Sequence, residues 1–146
     1  MSVELREITA ETVRAICTLE VSEDQRRYVA PNAVSIAEAH FQPKSWFRAI
    51  YADDEPAGFV LTYEDPEGEG YHLWRFMVDG RHQRLGVGRR AMELLLDRWR
   101  GLGAAEGSLS VVEGNDGAVA FYESLGFRLT GEREGAELVM RLTFDA

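Results

Sequence analysis

Gln83-Arg84-Leu85-Gly86-Val87-Gly88-Arg89 is the most informative stretch of the chain. Immediately before it, Tyr71 to Val78 reads as the longest strand. Immediately after it, Val87, Ala91, Leu94, Leu95, Trp99 and Leu102 fall on one face of a helix that Gly101 and Gly103 bring to a stop. A helix start leaves N–H groups unpaired and carries a partial positive charge. Glycine at 86 and 88 removes the side chains that would keep a phosphate away from those amides. Arg84, Arg89 and Arg90 add positive charge. Strand, turn and helix together make an anion site, whereas the glycines alone would equally suit a plain connecting turn. The spacing is Q-x-x-G-x-G. It is neither the G-x-G-x-x-G of a dinucleotide fold nor the G-x-x-x-x-G-K-[ST] of a P-loop.

On the N-terminal side, Val3 to Ile8 alternates as a first strand, and Thr9 caps a helix carrying Thr12, Val13, Ile16 and Leu19. Residues 22–34 are polar, contain Pro31-Asn32, and predict a break. Ser35 with Glu38 forms a capping-box pattern for a short helix through Ala39 and Phe41, which Pro43 ends. Trp46 to Ala52 and Ala57 to Tyr63 are strand-like, joined by the turn Asp53-Asp54-Glu55-Pro56, and a loop over 65–70 leads to Tyr71. Beyond the long helix, Leu109 to Val112 is a strand and Ala118 to Leu125 a helix ending at Gly126. Residues 127–131 and 137–144 close the chain as a strand pair. The order β-α-α-β-β-β-α-β-α-β-β predicts one mixed α/β domain over residues 1–146.

Composition narrows the function. With 25 acidic and 16 basic residues the net charge is −9, which disfavours nonspecific binding to nucleic acid and favours approach of a cation. Arginine supplies every basic residue except Lys44. No apolar run is long enough to cross a bilayer, and the start of the chain has no apolar signal core, so the expectation is a cytoplasmic protein without a membrane partner. Cys17 is the single cysteine, so no intrachain disulfide forms, and His40, His72 and His82 make no metal-ligand pattern. No metal is expected.

A second motif comes after the turn. Asn115, Ala118, Tyr122, Gly126 and Phe127 fit N-x-x-A-x-x-x-Y-x-x-x-G-F. With the Q-x-x-G-x-G turn in front of it, the chain resembles the GNAT acetyltransferase superfamily from about Leu5 onward, most specifically between Arg75 and Phe127. Softer likenesses in Ser22 to Ala39, Trp74 to Asp79, Gly131-Glu132 and Val139-Met140 are similar to the diamine (spermine/spermidine) acetyltransferase branch.

The resemblance implies a mostly antiparallel twisted sheet flanked by helices. It also implies direct transfer of an acetyl group from acetyl-CoA, as co-substrate, to an amine. By that likeness Phe76, Met77 and Val78 hold the pantetheine arm, and Gln83, Arg84, Leu85, Gly86, Val87, Gly88 and Arg89 hold the pyrophosphate. Asn115 contacts the cofactor, and Tyr122 protonates the departing sulfur. A phenol of pKa ~10 is suited to that task at neutral pH; a core aromatic is the alternative role for Tyr122. Some relatives place a glutamate on the central strand, and here there is none between Tyr71 and Val78. By period-two alternation His72 shares a face with Trp74, Phe76 and Val78, which leaves it as either the base or a structural histidine.

Glu20, Glu23 and Asp24, with the acidic runs at 53–55 and 64–69, offer carboxylates to a polyamine, and Tyr28, Trp46 and Trp74 offer aromatic cover. Solvated loop charge and core packing are the bland roles for the same residues. A polyamine such as spermidine or spermine is therefore the first expectation for the small-molecule amine. Another small amine, a protein N-terminus, or a non-catalytic CoA-binding module remain open. A homodimer is compatible with the family likeness.

Overall fold

The computed structural model describes residues 1–144, the Arg27 side chain excepted. Seven strands form one sheet: β1 (Val3–Arg6), β2 (Ser45–Ala52), β3 (Glu55–Asp65), β4 (Gly70–Val78), β5 (Glu106–Val112), β6 (Arg128–Glu134) and β7 (Glu137–Thr143). Their spatial order is β1-β2-β3-β4-β5-β7-β6, and every neighbouring pair is antiparallel except β4 with β5. Four helices accompany them: α1 (Val13–Cys17), α2 (Asn32–His40), α3 (Val87–Gly101) and α4 (Asp116–Ser124). The expected mixed, mostly antiparallel sheet is what the chain forms.

Each sheet face buries its own core. On one, Met92, Leu95, Leu96 and Trp99 of α3 pack with Val60, Leu73, Leu109 and Met140, and α4 adds Phe121, Tyr122 and Leu125. On the other, Ile16 and Ala39 from α1 and α2 pack on Phe59, Leu61 and Met77. Each fully buried aliphatic side chain contributes roughly 1.5–3 kcal/mol. Trp99 is completely buried and its indole N–H donates to Glu64 at 3.0 Å. The same carboxylate receives Arg98 at 2.6 Å and the Thr62 hydroxyl at 3.0 Å, so a mostly buried charge is paired and hydrogen-bonded.

Several local expectations change. The second helix begins at Asn32 behind Pro31, not at Ser35. Proline presets φ for a helix start, and Asn32 turns inward to donate to the Ile16 carbonyl at 2.8 Å. Ser35 is thereby buried inside the helix. The break at 22–34 contains a 3₁₀ helix, Glu23–Tyr28. Asp53 and Asp54 alone turn the β2–β3 hairpin, both at positive φ, so Glu55 and Pro56 already belong to β3.

The acidic runs also do other work. Asp53 accepts from the Ser2 amide, Asp54 pairs with Arg6, Glu64 holds Trp99 and Arg98, and Asp65 binds Lys44 at 2.8 Å.

β4 carries a bulge. Leu61 pairs with Arg75 but Thr62 pairs with Leu73, leaving Trp74 unpaired. A bulge flips alternation beyond it. His72, opposite Tyr63, and Phe76, opposite Val60, consequently lie on opposite faces, which corrects the shared face expected from unbroken alternation.

Gly107 on β5 sits against Trp99: an added Cβ would lie 2.5 Å from the ring. Gly107→Ala is expected to lose about 1–3 kcal/mol through overpacking, read as a lower urea midpoint with an unchanged slope.

Candidate active site

β3 pairs with β4 along its whole length, but β5 pairs with it only at Tyr71–Gly107, His72–Ser108 and Leu73–Leu109. Beyond that point the two parallel strands separate. From Trp74 to Val78 the β5-facing edge of β4 has no ladder partner among the described residues. Backbone groups there are obligatory donors and acceptors awaiting partners. The gap opens into a cleft of about 840 Å³, lined by Leu73 to Val78 on one wall and Leu109 to Val112 on the other.

The turn closes one end of this cleft. Gln83 donates from its side chain to the Val78 carbonyl at 2.9 Å, fixing the turn to the end of β4. Gly86 is the N-cap of α3 at φ 86°, a left-handed conformation that glycine adopts without strain. The first internal helix bond is Arg90 N–H to Gly86 carbonyl, and no side chain caps the end. The first turn holds no acidic residue, and Arg84, Arg89 and Arg90 surround it. Arg89 and Arg90 reach Glu93 of the next turn at 4.0 and 3.7 Å, and cations gathered at the positive end of a helix dipole are further stabilised by an arriving anion. An arrangement of this kind suits an anion such as phosphate.

Tyr122 projects from α4 into the cleft lining, edge-on to Phe121 at 5.2 Å and to Phe127 at 5.9 Å between ring centroids. Burial pushes its phenol above the ordinary value, so it stays protonated across neutral pH. Among the described residues its hydroxyl has no hydrogen-bond partner. Phe121 stacks on Phe76, centroids 6.2 Å apart, and so braces α4 against β4. Asn115 caps α4 by accepting from the Ala118 amide at 3.3 Å while lining the cleft.

Most of the residues singled out from the sequence come together here: Tyr28, Trp74, Phe76, Met77, Val78, Gln83, Arg84, Gly86, Gly88, Arg89, Asn115 and Tyr122 all line the cleft. Others do not. The Leu85 side chain points to solvent, and Val87 is buried against Val78 and Ala91, so these two offer main-chain groups only. Glu20 pairs with Arg26, and Glu23 is exposed on the 3₁₀ helix. His72 is anchored away from the cleft, with Nε2 against the Glu69 carbonyl at 2.7 Å and Nδ1 against the Ser108 hydroxyl. A carbonyl only accepts, so Nε2 carries a proton and donates it to Glu69. Its ring fastens β4 to β5 just before they part.

Sequence reasoning missed other contributors. Of the acidic cluster expected there, Asp24 lines the cleft while Glu20 and Glu23 do not, and the unanticipated Gln25 joins it from the 3₁₀ helix. The Ser22 hydroxyl at 2.6 Å holds the Asp24 carboxyl below its usual range, and Arg84 adds to the effect. Ser110 and Glu137, hydrogen-bonded to each other at 3.0 Å, complete the β5 wall. Only strand pairing brings Glu137 there, so no local pattern announces it.

A sequence model of the acetyltransferase (GNAT) family matches residues 13–127. Spermine/spermidine N(1)-acetyltransferase of Bacillus subtilis (strain 168) is 26% identical over 144 residues, covering 90% of this chain and 91% of the relative. Peptidyl-lysine N-acetyltransferase YjaB of Escherichia coli (strain K12) is 33% identical over 90 residues, 62% of this chain and 54% of the relative. Among solved structures, PaiA N-acetyltransferase from Thermoplasma acidophilum in complex with coenzyme A shares the fold with a TM-score of 0.75 at 15% identity, covering 99% of this chain and all of that one.

Gly88 gives a direct test of the turn. An added Cβ would sit 3.4 Å from Val78 and 3.7 Å from Phe121, ordinary contacts that leave the fold intact. Alanine also favours a helix over glycine by up to about 1 kcal/mol. Gly88→Ala is therefore expected to melt no lower than the parent, while coenzyme A affinity, titrated by calorimetry, falls about tenfold, or ~1.4 kcal/mol.

Proposed function

We propose, for a chain that belongs to the acetyltransferase (GNAT) family and is an acetyl-CoA-dependent N-acetyltransferase, that the acceptor is a primary amine of a polyamine such as spermidine or spermine. The observation that carries this reading is the cleft itself: a free strand edge leading from a helix start ringed with arginine to an unpartnered phenol. The pyrophosphate is bound by the amides around Gly86 and Gly88 with Gln83, Arg84 and Arg89. The pantetheine arm lies along Phe76, Met77 and Val78, where amide-to-amide hydrogen bonds replace the missing strand. Asn115 borders the same path.

Tyr122 is the acid. A thiolate leaving a thioester needs a proton, and a half-buried phenol that stays protonated, with no internal partner for its hydroxyl, can give one. The amine attacks directly, so nitrogen–carbon bond formation and carbon–sulfur cleavage occur in one site without an acyl-enzyme.

Support for a polyamine comes from two sources. The spermine/spermidine relative matches over nearly its whole length. The cleft lining also includes the Asp24 carboxylate and the aromatic side chains Tyr28 and Trp74, a set that suits an ammonium on a methylene chain. A protein lysine is the second reading, favoured by the peptidyl-lysine relative, whose match is more identical but shorter. Both acceptors are alkylammonium ions, and they differ in the groups carried beyond the reacting end.

Purified protein with acetyl-CoA is expected to release free thiol and acetylated product with spermidine or spermine faster than with monoamines, amino sugars or lysine peptides. Preference for a lysine peptide would select the second reading, and coenzyme A binding without turnover of any amine would reject both. Tyr122→Phe is expected to lower kcat by about 10²–10⁴-fold while leaving coenzyme A affinity unchanged.

A further inference from the structure

The cleft begins at a definite place. Leu73 and Leu109 are the last paired residues of the parallel strands, so Trp74 and Ser110 are the first to face each other across the gap. The Ser110 hydroxyl donates to Oε1 of Glu137 at 3.0 Å. Glu137 is the first residue of β7, opposite Val112, and lines the cleft with Ser110. By strand alternation Ser110 and Glu137 lie on the same sheet face as Ser108 and His72, the face that carries α1 and α2. Tyr122 packs into the core of the other face. A carboxylate and a phenol therefore approach the mouth of one split from opposite sides.

The other titratable or charged side chains described in the lining are Asp24, Tyr28, Arg75, Arg84 and Arg89. Guanidinium groups do not accept protons, and phenols are protonated at neutral pH. Asp24 sits on the exposed 3₁₀ wall under the influence of Arg84, the arginine of the phosphate turn. Glu137 alone is fastened to the strand where the gap starts. Among the described residues its Oε2 has no hydrogen bond or ion pair.

We infer that Glu137 is the general base of the reaction and Ser110 its positioning residue. This rests on the transferase reading above and adds the group that the sequence left unassigned. An alkylammonium of pKa ~10.4 is not a nucleophile, so nitrogen must shed one proton before it attacks and a second as the amide forms. Glu137 first takes one proton from the ammonium and releases it to water. The neutral nitrogen then bonds to the thioester carbon, its second proton passes to the Glu137 carboxylate, the carbon–sulfur bond breaks, and the Tyr122 proton passes to sulfur. Water then carries the proton gained by Glu137 back to the Tyr122 phenolate, and both groups are reset. Acceptor and leaving group are served from different faces, so neither proton transfer crosses the path of the other.

Glu137→Gln keeps an amide oxygen for the Ser110 hydroxyl and removes only the charge. With spermidine, or whichever amine of the panel turns over, thiol release at pH 7 is expected to fall about 10²-fold or more in kcat, with coenzyme A affinity and melting temperature unchanged. The deficit is expected to shrink between pH 7 and pH 10, because more of the amine arrives already neutral. Ser110→Ala is expected to give a smaller loss that adds nothing once Glu137 is Gln. Parental kcat in Glu137→Gln at pH 7 would overturn the assignment, as would a deficit that stays constant with pH alongside a lower melting temperature. A parent protein inert toward every amine would instead sink the transferase reading underneath.

Discussion

β4 has two hydrogen-bonding edges, and past Leu73 only one of them is used. That asymmetry is the constraint on which the site depends. A strand with an unpaired edge inside a sheet is unstable unless something else holds it straight, and here β3 holds β4 for its entire length while β7 does the same for β5. The bulge at Trp74 adds local twist at the start of the separation. Phe76 stacked on Phe121 then props the far wall open by wedging α4 against β4. The gap is thus a product of pairing elsewhere, and its exposed amides are available because the fold has no strand to give them.

Electrostatics supply the direction. The chain is strongly acidic, yet one helix start gathers arginine and excludes acid. A polyanion is drawn to that end and a cation to the remaining surface, so the two substrates of a transfer reaction are sorted before either touches the cleft. Inside the cleft, Arg84 and Arg89 line the end at the turn, and the Glu137 carboxylate lines it beside Ser110, where the strands begin to part.

What could be read from the sequence was local. The glycine turn at 83–89, α3 and the length of β4 are encoded in consecutive residues, and Asn115 and Tyr122 lie in one nine-residue helix and its cap. What could not be read depends on partners far along the chain. The bulge at Trp74 exists only in the register between Leu61 and Thr62, so alternation placed His72 on the wrong face. Glu137 reaches the cleft across β5 and resembles any hairpin glutamate until the strands are paired. The capping-box pattern at Ser35 lost to a proline four residues earlier. Acidic runs that looked like a cation site proved to be a hairpin turn, an ion pair and the anchor of a buried tryptophan. Composition shows charge but not what that charge is bonded to.

The pairing of Lys44 with Asp65 has a chemical consequence. It is the chain's one side-chain ammonium, and the Asp65 carboxylate, through its hydrogen bond, holds it above the ordinary lysine range and so keeps it protonated. All the other residues of the Lys and Arg set carry a guanidinium, charged at any physiological pH and inert to thioesters. A catalyst that keeps an activated acyl donor at its centre is thereby clad in groups that do not consume it.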